Sequence, residues 1–518
     1  MLRTLLLGVS LPMLALPVAA QDLPQAQDAW FTAGQEAVAA RLANQPITTR
    51  AKNVILFTAD GNGVGTNYAI RLFEGQAQGG LGDDHVQPHE AFPNVALIKT
   101  YTTNGQTPDS APTASAMNNG IKSKNDVINI PDTVAVADCA AGLQTEVKLL
   151  SEIASEMGKS VGVISTARLT HATPAAVYAR TVARDWEDDS LVAEGCAQKD
   201  IAAQLIDQMQ AGVIDVAMGG GRQHFLPAEV TDSEGKPGKR ADGRNLMDEA
   251  SALGATVVEN DTDFAALSTA GNNAPILGLF EASHMKYEHD RTGEPTLAEM
   301  TEAAINALGS NEEGFYLSIE AGRVDHANHA GNLYRTLTDG IAFNDAIRKA
   351  VELTDAEDTL IIVTADHEHA IAFNGYCGRG SSIVGLCMEI NNDGVEALAT
   401  PNLGDDGKPY TVAGFLNGPG AVLVAQPTDT AAVDTGTATD AAAESQALYA
   451  APEGRPAVSE EEASDPDYLQ QALIPLNSET HSGADVAAFA RGPWAHLIGG
   501  VLEQNAIFHV MHHAITAE

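Results

Sequence analysis

Short apolar segments without polar alternation constrain the fold of this chain more than any other feature. Five such runs, rich in Val, Ile and Phe, occupy residues 53–58, 161–165, 213–218, 315–319 and 360–364. Runs of this kind are typical of strands buried on both faces, as in a parallel sheet between two layers of helices. Stretches with helical periodicity lie between them, at 145–157, 200–209 and 297–308. The pattern predicts an α/β fold with a central, mostly parallel sheet sandwiched between helices and with surface insertions.

The length of 518 residues could hold two or three domains. The strand-like runs nevertheless extend from residue 53 to residue 370, and candidate site residues continue to His481, so we expect one catalytic domain over 21–518. A surface insertion is predicted around 376–475. Within it, residues 425–462 are rich in Ala, Thr, Asp and Glu with almost no large apolar side chains, which indicates a low-complexity segment that carries no chemistry.

The first twenty residues have the pattern of a secretory signal peptide. Arg3 precedes an apolar run over residues 5–16, and the small residues Val18-Ala19-Ala20 follow. The apolar run is far shorter than the ~20 residues that a membrane span requires. We therefore expect cleavage after Ala20 and an exported protein, periplasmic or secreted, without a membrane anchor.

The four cysteines are Cys139, Cys196, Cys377 and Cys387. An even number in an oxidising compartment predicts two disulfides, and sequence leaves all three pairings open, although the short interval from Cys377 to Cys387 makes a local loop easy to close. No CxxC pair is present, which argues against zinc bound by cysteine.

The charge balance excludes some partners. Twenty-nine Lys and Arg against sixty-nine Asp and Glu give a net charge of −40. Such a surface repels nucleic acid and anionic membranes, so we expect no nucleic-acid partner. An anionic substrate would need a strongly positive local site.

Three of the apolar runs end in a residue that can bind a metal. The first is followed by Asp60, the fourth by Glu320, and the last by Asp366-His367. Open α/β sheets place their sites beyond the carboxyl ends of the strands, so these side chains could converge. One acidic strand end is usually a loop residue or a helix cap, but three in one chain favour a metal site.

Asp325 and His329 are four residues apart, which on a helical turn places both on one face. Without other evidence, this spacing would indicate only two solvent-exposed side chains on one face of a helix. Imidazole together with carboxylate suits zinc, whereas carboxylates and hydroxyls suit magnesium. Candidates that offer oxygen alone are Asp60, Glu320 and Thr173; those of the mixed set are Asp325, His329, Asp366, His367 and His481.

The segment 109–116 reads as the start of a helix, with Pro112 tolerated in its first turn. Ser110 there would lie in the field of the helix N-terminus, where backbone N–H groups hold anions such as phosphate. The alternative is that Asp109 or Ser110 only caps the helix.

These residues resemble a known family, the metal-dependent alkaline phosphatases, from about residue 53 to residue 513. The resemblance weakens over the low-complexity segment. Eight motifs occur in the order of the family: Asp60-Gly61, 108–111, 170–175, 218–222, 278–281, 320–326, 364–367 and 479–486.

The resemblance implies a site with two Zn²⁺ and one Mg²⁺, and assigns ligands to each. One zinc would be held by Asp325, His329 and His481, the second by Asp60, Asp366 and His367 beside Ser110, and magnesium by Asp60, Thr173 and Glu320. Arg184 falls where the family keeps its phosphate-binding arginine. His171 and His326 look like the His/His form of the animal enzymes, in contact with phosphate or with magnesium-bound water. Glu281 and Glu294 resemble part of a calcium site, but their divergent surroundings argue against calcium.

The resemblance also implies a function: hydrolysis of small phosphate monoesters through a phosphoserine on Ser110, by a homodimer. Other reactions on the same scaffold are the nearest alternatives, namely phosphodiesterase, sulfatase or phosphomutase activity. Neither Cys139 nor Cys196 is followed by the motif that a sulfatase needs. A non-catalytic exported zinc-binding protein is the alternative from another class, but it would not require a serine at a helix N-terminus.

Overall fold

The computed structural model describes residues 23–270, 274–421 and 455–517. The predicted signal peptide and most of the predicted low-complexity segment lie outside the described residues. The chain divides into two compact units, Met1–Pro46 and Ile47–Glu518. The described part of the first unit contains one helix, α1 (Ala29–Ala43), and all other elements belong to the second.

The elements of the second unit alternate between strands and helices over most of its length. The strands are β1 (Asn53–Ala59), β2 (Asn94–Lys99), β3 (Ser160–Arg168), β4 (Val216–Gly220), β5 (Thr256–Val258), β6 (Ile276–Leu279), β7 (Phe315–Ala321), β8 (Thr359–Thr364), β9 (Glu368–His369), β10 (Ile371–Phe373), β11 (Ala413–Gly418), β12 (Ala472–Pro475), β13 (His481–Ser482), β14 (Val486–Arg491) and β15 (Gly500–Glu503). The helices are α2 (Val64–Ala77), α3 (Ser110–Asn119), α4 (Cys139–Gly142), α5 (Leu150–Glu156), α6 (Ala172–Ala175), α7 (Ile201–Gln210), α8 (Leu246–Ala252), α9 (Asp261–Ala270), α10 (Leu297–Leu308), α11 (Arg323–His329), α12 (Leu333–Leu353), α13 (Glu460–Ala463) and α14 (Ala506–Thr516).

Ten of the described strands form one sheet in the order β15-β2-β14-β8-β1-β7-β3-β4-β6-β5. The seven strands from β8 to β5 are parallel. At the other end, β14 is antiparallel to both β8 and β2. The prediction of a mostly parallel sheet in an α/β fold is confirmed.

Alternate residues of the central strands belong to two separate cores. In β1, Val54 and Leu56 pack in the core that contains residues of α3, α5, α7 and α14. Ile55 and Phe57 of the same strand pack in the core that contains residues of α10 and α12. Both faces of the strand are therefore covered, which explains why its sequence shows no polar alternation.

Two predicted elements begin later than expected. The run 213–218 becomes a strand only at Val216, directly after Asp215, whose side chain accepts a hydrogen bond from the backbone N–H of Val161. The helix expected over 145–157 covers only Leu150–Glu156. The guanidinium of Arg180 donates to the carbonyl of Val147, which holds the preceding segment outside the helix.

The cysteines form two disulfides, as expected. The pairs are Cys139–Cys196 and Cys377–Cys387. The second closes a loop between β10 and β11, two strands of a small three-stranded sheet that also contains β12. Among the described helices, none has the length and apolar character that crossing a bilayer would require.

Candidate active site

The three acidic strand ends lie side by side. Strands β8, β1 and β7 are neighbours in the sheet, and Thr58 of β1 is in register with both Glu320 and Thr364. Asp60, Glu320 and Asp366 are almost fully buried at this edge. The convergence inferred from the sequence is thus present in the fold.

One cluster of ligand-type atoms forms around Asp325. In α11, Asp325 Oδ1 lies 3.4 Å from His329 Nε2, and His481 Nε2 lies 3.3 Å from the same oxygen. The two Nε2 atoms are 3.0 Å apart. Each ring places its Nδ1 against a backbone carbonyl, that of Glu479 for His329 and that of Pro108 for His481. If each Nδ1 carries the ring proton, both Nε2 lone pairs point at a common centre, as in histidines that bind a metal.

A second cluster surrounds Ser110. His367 Nε2 lies 3.2 Å from Asp60 Oδ1, 3.3 Å from Asp366 Oδ2 and 3.2 Å from Ser110 Oγ. The Ser110 hydroxyl donates to Asp60 Oδ1 at 3.3 Å. The rings of His367 and His481 stack with centroids 3.6 Å apart, so this cluster adjoins the one around Asp325.

A third group combines Asp60 with Glu320 and His171. Their ligand atoms lie within 4.8 Å of one another. Asp60 Oδ2, Glu320 Oε1 and Thr173 Oγ1 are buried and have no hydrogen-bond partner among the described residues. Orphaned buried oxygens are costly, and a bound cation would satisfy them.

The electrostatics of the site also fit bound cations. Burial, together with the charges of Asp325 and Glu320, raises the pKa of Asp60 well above its ordinary value. Burial raises the pKa of Glu320 to about 8 and that of Asp366 to about 6. Such shifts are expected where carboxylates are buried together without a full set of counter-charges, and metal ions would reverse them. The donor set of carboxylates and imidazoles suits zinc, and the oxygens around Glu320 suit magnesium.

Ser110 is the first residue of α3 and is buried. The cap of this helix is Asp109, whose side chain accepts a hydrogen bond from the backbone N–H of Ala111. The sequence left open whether Asp109 or Ser110 caps this helix, and in the structure Asp109 is the cap. The Ser110 hydroxyl instead points at the clusters of ligand-type atoms.

Arg184 lies beside this helix start. Its guanidinium donates to Asp109 Oδ1 at 3.0 Å and contacts His171 Nε2 at 3.2 Å. The charge of Asp109 keeps the pKa of Arg184 above its ordinary value although burial alone would lower it. A fixed cation therefore lies at the N-terminal end of α3, near Ser110. His326 also lies in this region, with its ring 5.4 Å from that of His171.

His369 and Glu479 belong to the site, but sequence reasoning assigned neither as a ligand. His369 Nε2 lies 2.8 Å from Asp325 Oδ1, and its Nδ1 faces Glu479 Oε2. Burial alone would lower the pKa of His369, but these two carboxylates raise it to about 10. Their spacing from predicted ligands could have revealed them. His369 is in β9, two residues after His367, and Glu479 lies two residues before His481, which begins the paired strand β13.

His284 is a further residue that the sequence did not reveal. It follows β6, and its ring lies 4.0 Å from that of His326 and 5.3 Å from that of His171. The three imidazoles form a group that we call the histidine triad. No spacing in the sequence links His284 to the other two, so only the folded chain brings it there.

Comparisons with known proteins identify the family of this chain. The family model described as alkaline phosphatase matches residues 51–517. The human tissue-nonspecific isozyme of alkaline phosphatase is 37% identical over 504 residues, which cover 94% of this chain and 88% of the relative. The alkaline phosphatase of Gadus morhua is 38% identical over 481 residues, covering 90% and 92%.

Solved structures show the same fold. Alkaline phosphatase from the Antarctic bacterium TAB5 aligns with a TM-score of 0.59 at 21% identity and covers 90% of this chain and 99% of its own. The enzyme from Thermus thermophilus aligns with a TM-score of 0.61 at 22% identity, covering 92% and 94%. Because the family model spans nearly the whole chain and relatives are 37–38% identical to it over at least 90% of its length, this protein belongs to the alkaline phosphatase family.

Proposed function

We propose that this protein hydrolyses phosphate monoesters to an alcohol and inorganic phosphate through a phosphoserine on Ser110, at a site that holds two Zn²⁺ and one Mg²⁺. The observation that carries the proposal is the position of Ser110. Its Oγ lies at the start of a helix, 3.2 Å from His367 Nε2 and 3.3 Å from Asp60 Oδ1. A serine that served only as a helix cap would not face a group of metal-ligand atoms.

Three sets of side chains would hold the ions. One zinc would be bound by Asp325, His329 and His481, the other by Asp60, Asp366 and His367, and magnesium by Asp60, Thr173 and Glu320. When bound, such ions supply Lewis-acid chemistry that lowers the pKa of the nucleophile and stabilises the oxygen of the leaving group.

The chain's own residues perform the displacement. Ser110 Oγ loses its proton to solvent and forms a bond to phosphorus while the bond from phosphorus to the ester oxygen breaks, and that oxygen leaves with the electron pair and takes up a proton to give the alcohol. Water then attacks phosphorus and gives up a proton, Ser110 Oγ departs with the electron pair and takes up a proton, and inorganic phosphate is released. Arg184 and the N–H groups at the start of α3 would bind the non-bridging oxygens in both steps.

Arg184 also supports monoesters as the substrate class. A planar guanidinium binds two oxygens at once, which leaves the third non-bridging oxygen of a monoester for other groups of the site, whereas a diester has no third one to offer. His171 contacts Arg184, His326 lies beside His171, and both would contact the phosphate or the water beside it. The local cations would also offset the repulsion of a substrate anion by the acidic surface.

We also infer that the protein is exported and forms a homodimer. Two disulfides are typical of proteins in an oxidising compartment. At one end of the large sheet, Val95 and Leu97 of β2 and Val501 of β15 are exposed apolar side chains, with Leu97 and Val501 in register. Such an apolar face supports an interface with a second copy of the chain.

The direct test compares a chromogenic phosphate monoester with the corresponding diester from pH 7 to pH 10. We expect monoester turnover that chelation abolishes and that zinc with magnesium restores, with little diester turnover. Faster diester turnover would favour the phosphodiesterase alternative. Binding of zinc without hydrolysis of either ester would favour the zinc-binding protein.

A further inference from the structure

Two exposed histidines lie one turn apart on the last described helix. His509 and His513 of α14 both face solvent, and the opposite side of the helix is anchored by buried residues, including Phe508 and Met511. In a helix, side chains four residues apart lie on the same face about 5–6 Å apart at Cβ. This spacing lets two imidazoles bind one ion.

Both rings are supported by aromatic neighbours. The ring of His513 packs at 4.3 Å and nearly perpendicular to that of Trp494, and the ring of His509 lies 5.3 Å from that of Phe508. Within the part of the chain that the structure describes, no hydrogen bond or ion pair involves the ring nitrogens of either histidine. Their nitrogens are therefore available to a ligand from solution.

The pair is remote from the candidate active site. Asn505, just before α14, donates to the carbonyl of Gly120, which ends α3. A Cβ on Gly120 would lie only 2.6 Å from the Phe508 ring, so α14 is packed closely against this end of α3. Ser110 lies at the opposite end of α3, about 15 Å away by the length of a ten-residue helix.

We propose that His509 and His513 form a surface site for one divalent transition ion of the type that imidazole prefers, such as Zn²⁺, Ni²⁺ or Cu²⁺. Imidazole is the common ligand of these ions, and it binds them in its neutral form. Two ligands on one rigid helix bind the same ion more tightly than either alone, because the second is held at a high effective concentration.

The test is retention of the untagged, metal-loaded protein on immobilised Ni²⁺, followed by elution with imidazole. His509→Asn and His513→Asn should each weaken binding by about tenfold or more. The double variant should also lose the weak retention that one remaining histidine provides, because a single imidazole can bind the ion but cannot chelate it. His512→Asn in the same helix and His289→Asn on another element serve as controls and should leave retention unchanged.

Single variants that are retained nearly as strongly as the parent, with retention lost only in the double variant, would mean two independent histidines and would overturn the proposal. Retention that depends on His512 or His289, or that survives the double variant, would also overturn it. Monoester turnover of all four variants should match the parent, since none of these residues belongs to the proposed machinery.

His284 of the histidine triad contacts both the backbone and the side chain of Arg168. The backbone N–H of Arg168 donates to His284 Nδ1 at 3.2 Å, and the Arg168 guanidinium contacts His284 Nε2. The same guanidinium binds Glu187 through two hydrogen bonds of 2.7 Å. Glu187 in turn accepts from the Thr170 hydroxyl. His284 is thus connected to the segment 168–173, which carries His171 and Thr173.

We infer that His284 is a positioning residue for phosphate binding, which rests on the proposed function. Its ring fixes the backbone at Arg168 and packs against His326 and His171.

The test measures KM for a monoester, the inhibition constant of inorganic phosphate and kcat. His284→Ala should raise KM and the inhibition constant several-fold with a smaller effect on kcat. His284→Asn should restore much of the loss, because its amide oxygen can replace Nδ1 as acceptor. His289→Ala is the control.

Unchanged phosphate inhibition in His284→Ala, or no rescue by His284→Asn, would overturn the positioning role. Failure of the proposed function would be recognised separately, because the parent protein itself would then hydrolyse no monoester.

Discussion

Ser110 illustrates how a common residue acquires a special environment. Asp109 performs the capping, so the serine hydroxyl is left to face Asp60 and His367. Burial removes competing water from the hydroxyl, and the helix N-terminus favours negative charge beside it. These three conditions at one residue, rather than any motif alone, make it the nucleophile in our account.

Ser110→Ala should reduce monoester turnover by about a thousandfold or more, because no other hydroxyl occupies the same position. Zinc and magnesium contents, measured by elemental analysis, should stay near those of the parent. Ser310→Ala, at an exposed serine, is the matched control and should retain full activity. A Ser110→Ala protein with parental rates would remove Ser110 from its role.

Arg184→Lys should weaken inhibition by inorganic phosphate by about tenfold or more, since lysine keeps the charge but loses the planar pair of donors. Arg180→Lys is the control, because Arg180 binds Glu152 and a backbone carbonyl instead of facing the site. The measurement is the inhibition constant of inorganic phosphate for both variants and the parent, determined at one pH and one metal concentration. Equal values for Arg184→Lys and the parent would contradict the assignment.

Among the elements, the segment between β3 and α6 is held by a buried ionic network. Burial alone would raise the pKa of Glu187, but hydrogen bonds from Arg168 and the charge of His224 hold it below its ordinary value. A carboxyl with a lowered pKa in the folded state stabilises the fold above its unfolded pKa of about 4.3. This stabilisation is lost as the pH falls through the folded pKa.

Glu187→Gln should therefore lower the melting temperature by several degrees at pH 7, because Arg168 loses its ionised partner. The difference from the parent should shrink as the pH falls below about 4, where the parent's carboxylate is itself protonated. Glu156→Gln, at an exposed residue, should show no such difference. A gap between Glu187→Gln and the parent that stays constant with pH would contradict the linkage.

The polar residues that follow the buried apolar runs were the most informative feature of the sequence. Parallel buried strands have recognisable apolar runs, and their carboxyl ends meet at one edge of the sheet, so Asp60, Glu320 and Asp366 could be predicted to lie together there. The spacing of Asp325 and His329 indicated that they share a helix face. Strand β2 was not predicted, because it lies near the sheet's end where Val95 and Leu97 are exposed and the pattern is weaker. His284 could not be inferred, since its contacts join loops that are distant in sequence.

At the scale of the whole molecule, a net charge of −40 surrounds the site that we propose binds a phosphate anion. Bound ions and Arg184 would have to create a local positive field within that acidic surface. Substrate binding should then depend on the metals more strongly than the contacts of Arg184 alone would suggest.

The exposed apolar face of β2 and β15 supports the proposed dimer. Leu97→Glu should shift the protein from dimer to monomer, measured by size-exclusion chromatography with light scattering, because a charge would be buried at the interface without a partner. Leu253→Glu, at an exposed leucine on another surface, is the control and should not change the mass. A monomeric parent, or a dimer unaffected by Leu97→Glu, would contradict this interface.

The central claim is that a metal-dependent reaction passes through a phosphoserine at Ser110. The most direct measurement is mass spectrometry of peptides after acid quenching of the enzyme during turnover of a phosphate monoester. We predict one added phosphoryl group on the peptide that contains Ser110, and none after chelation or in Ser110→Ala. Turnover without phosphorylation of Ser110, or with phosphorylation of another residue, would contradict the account.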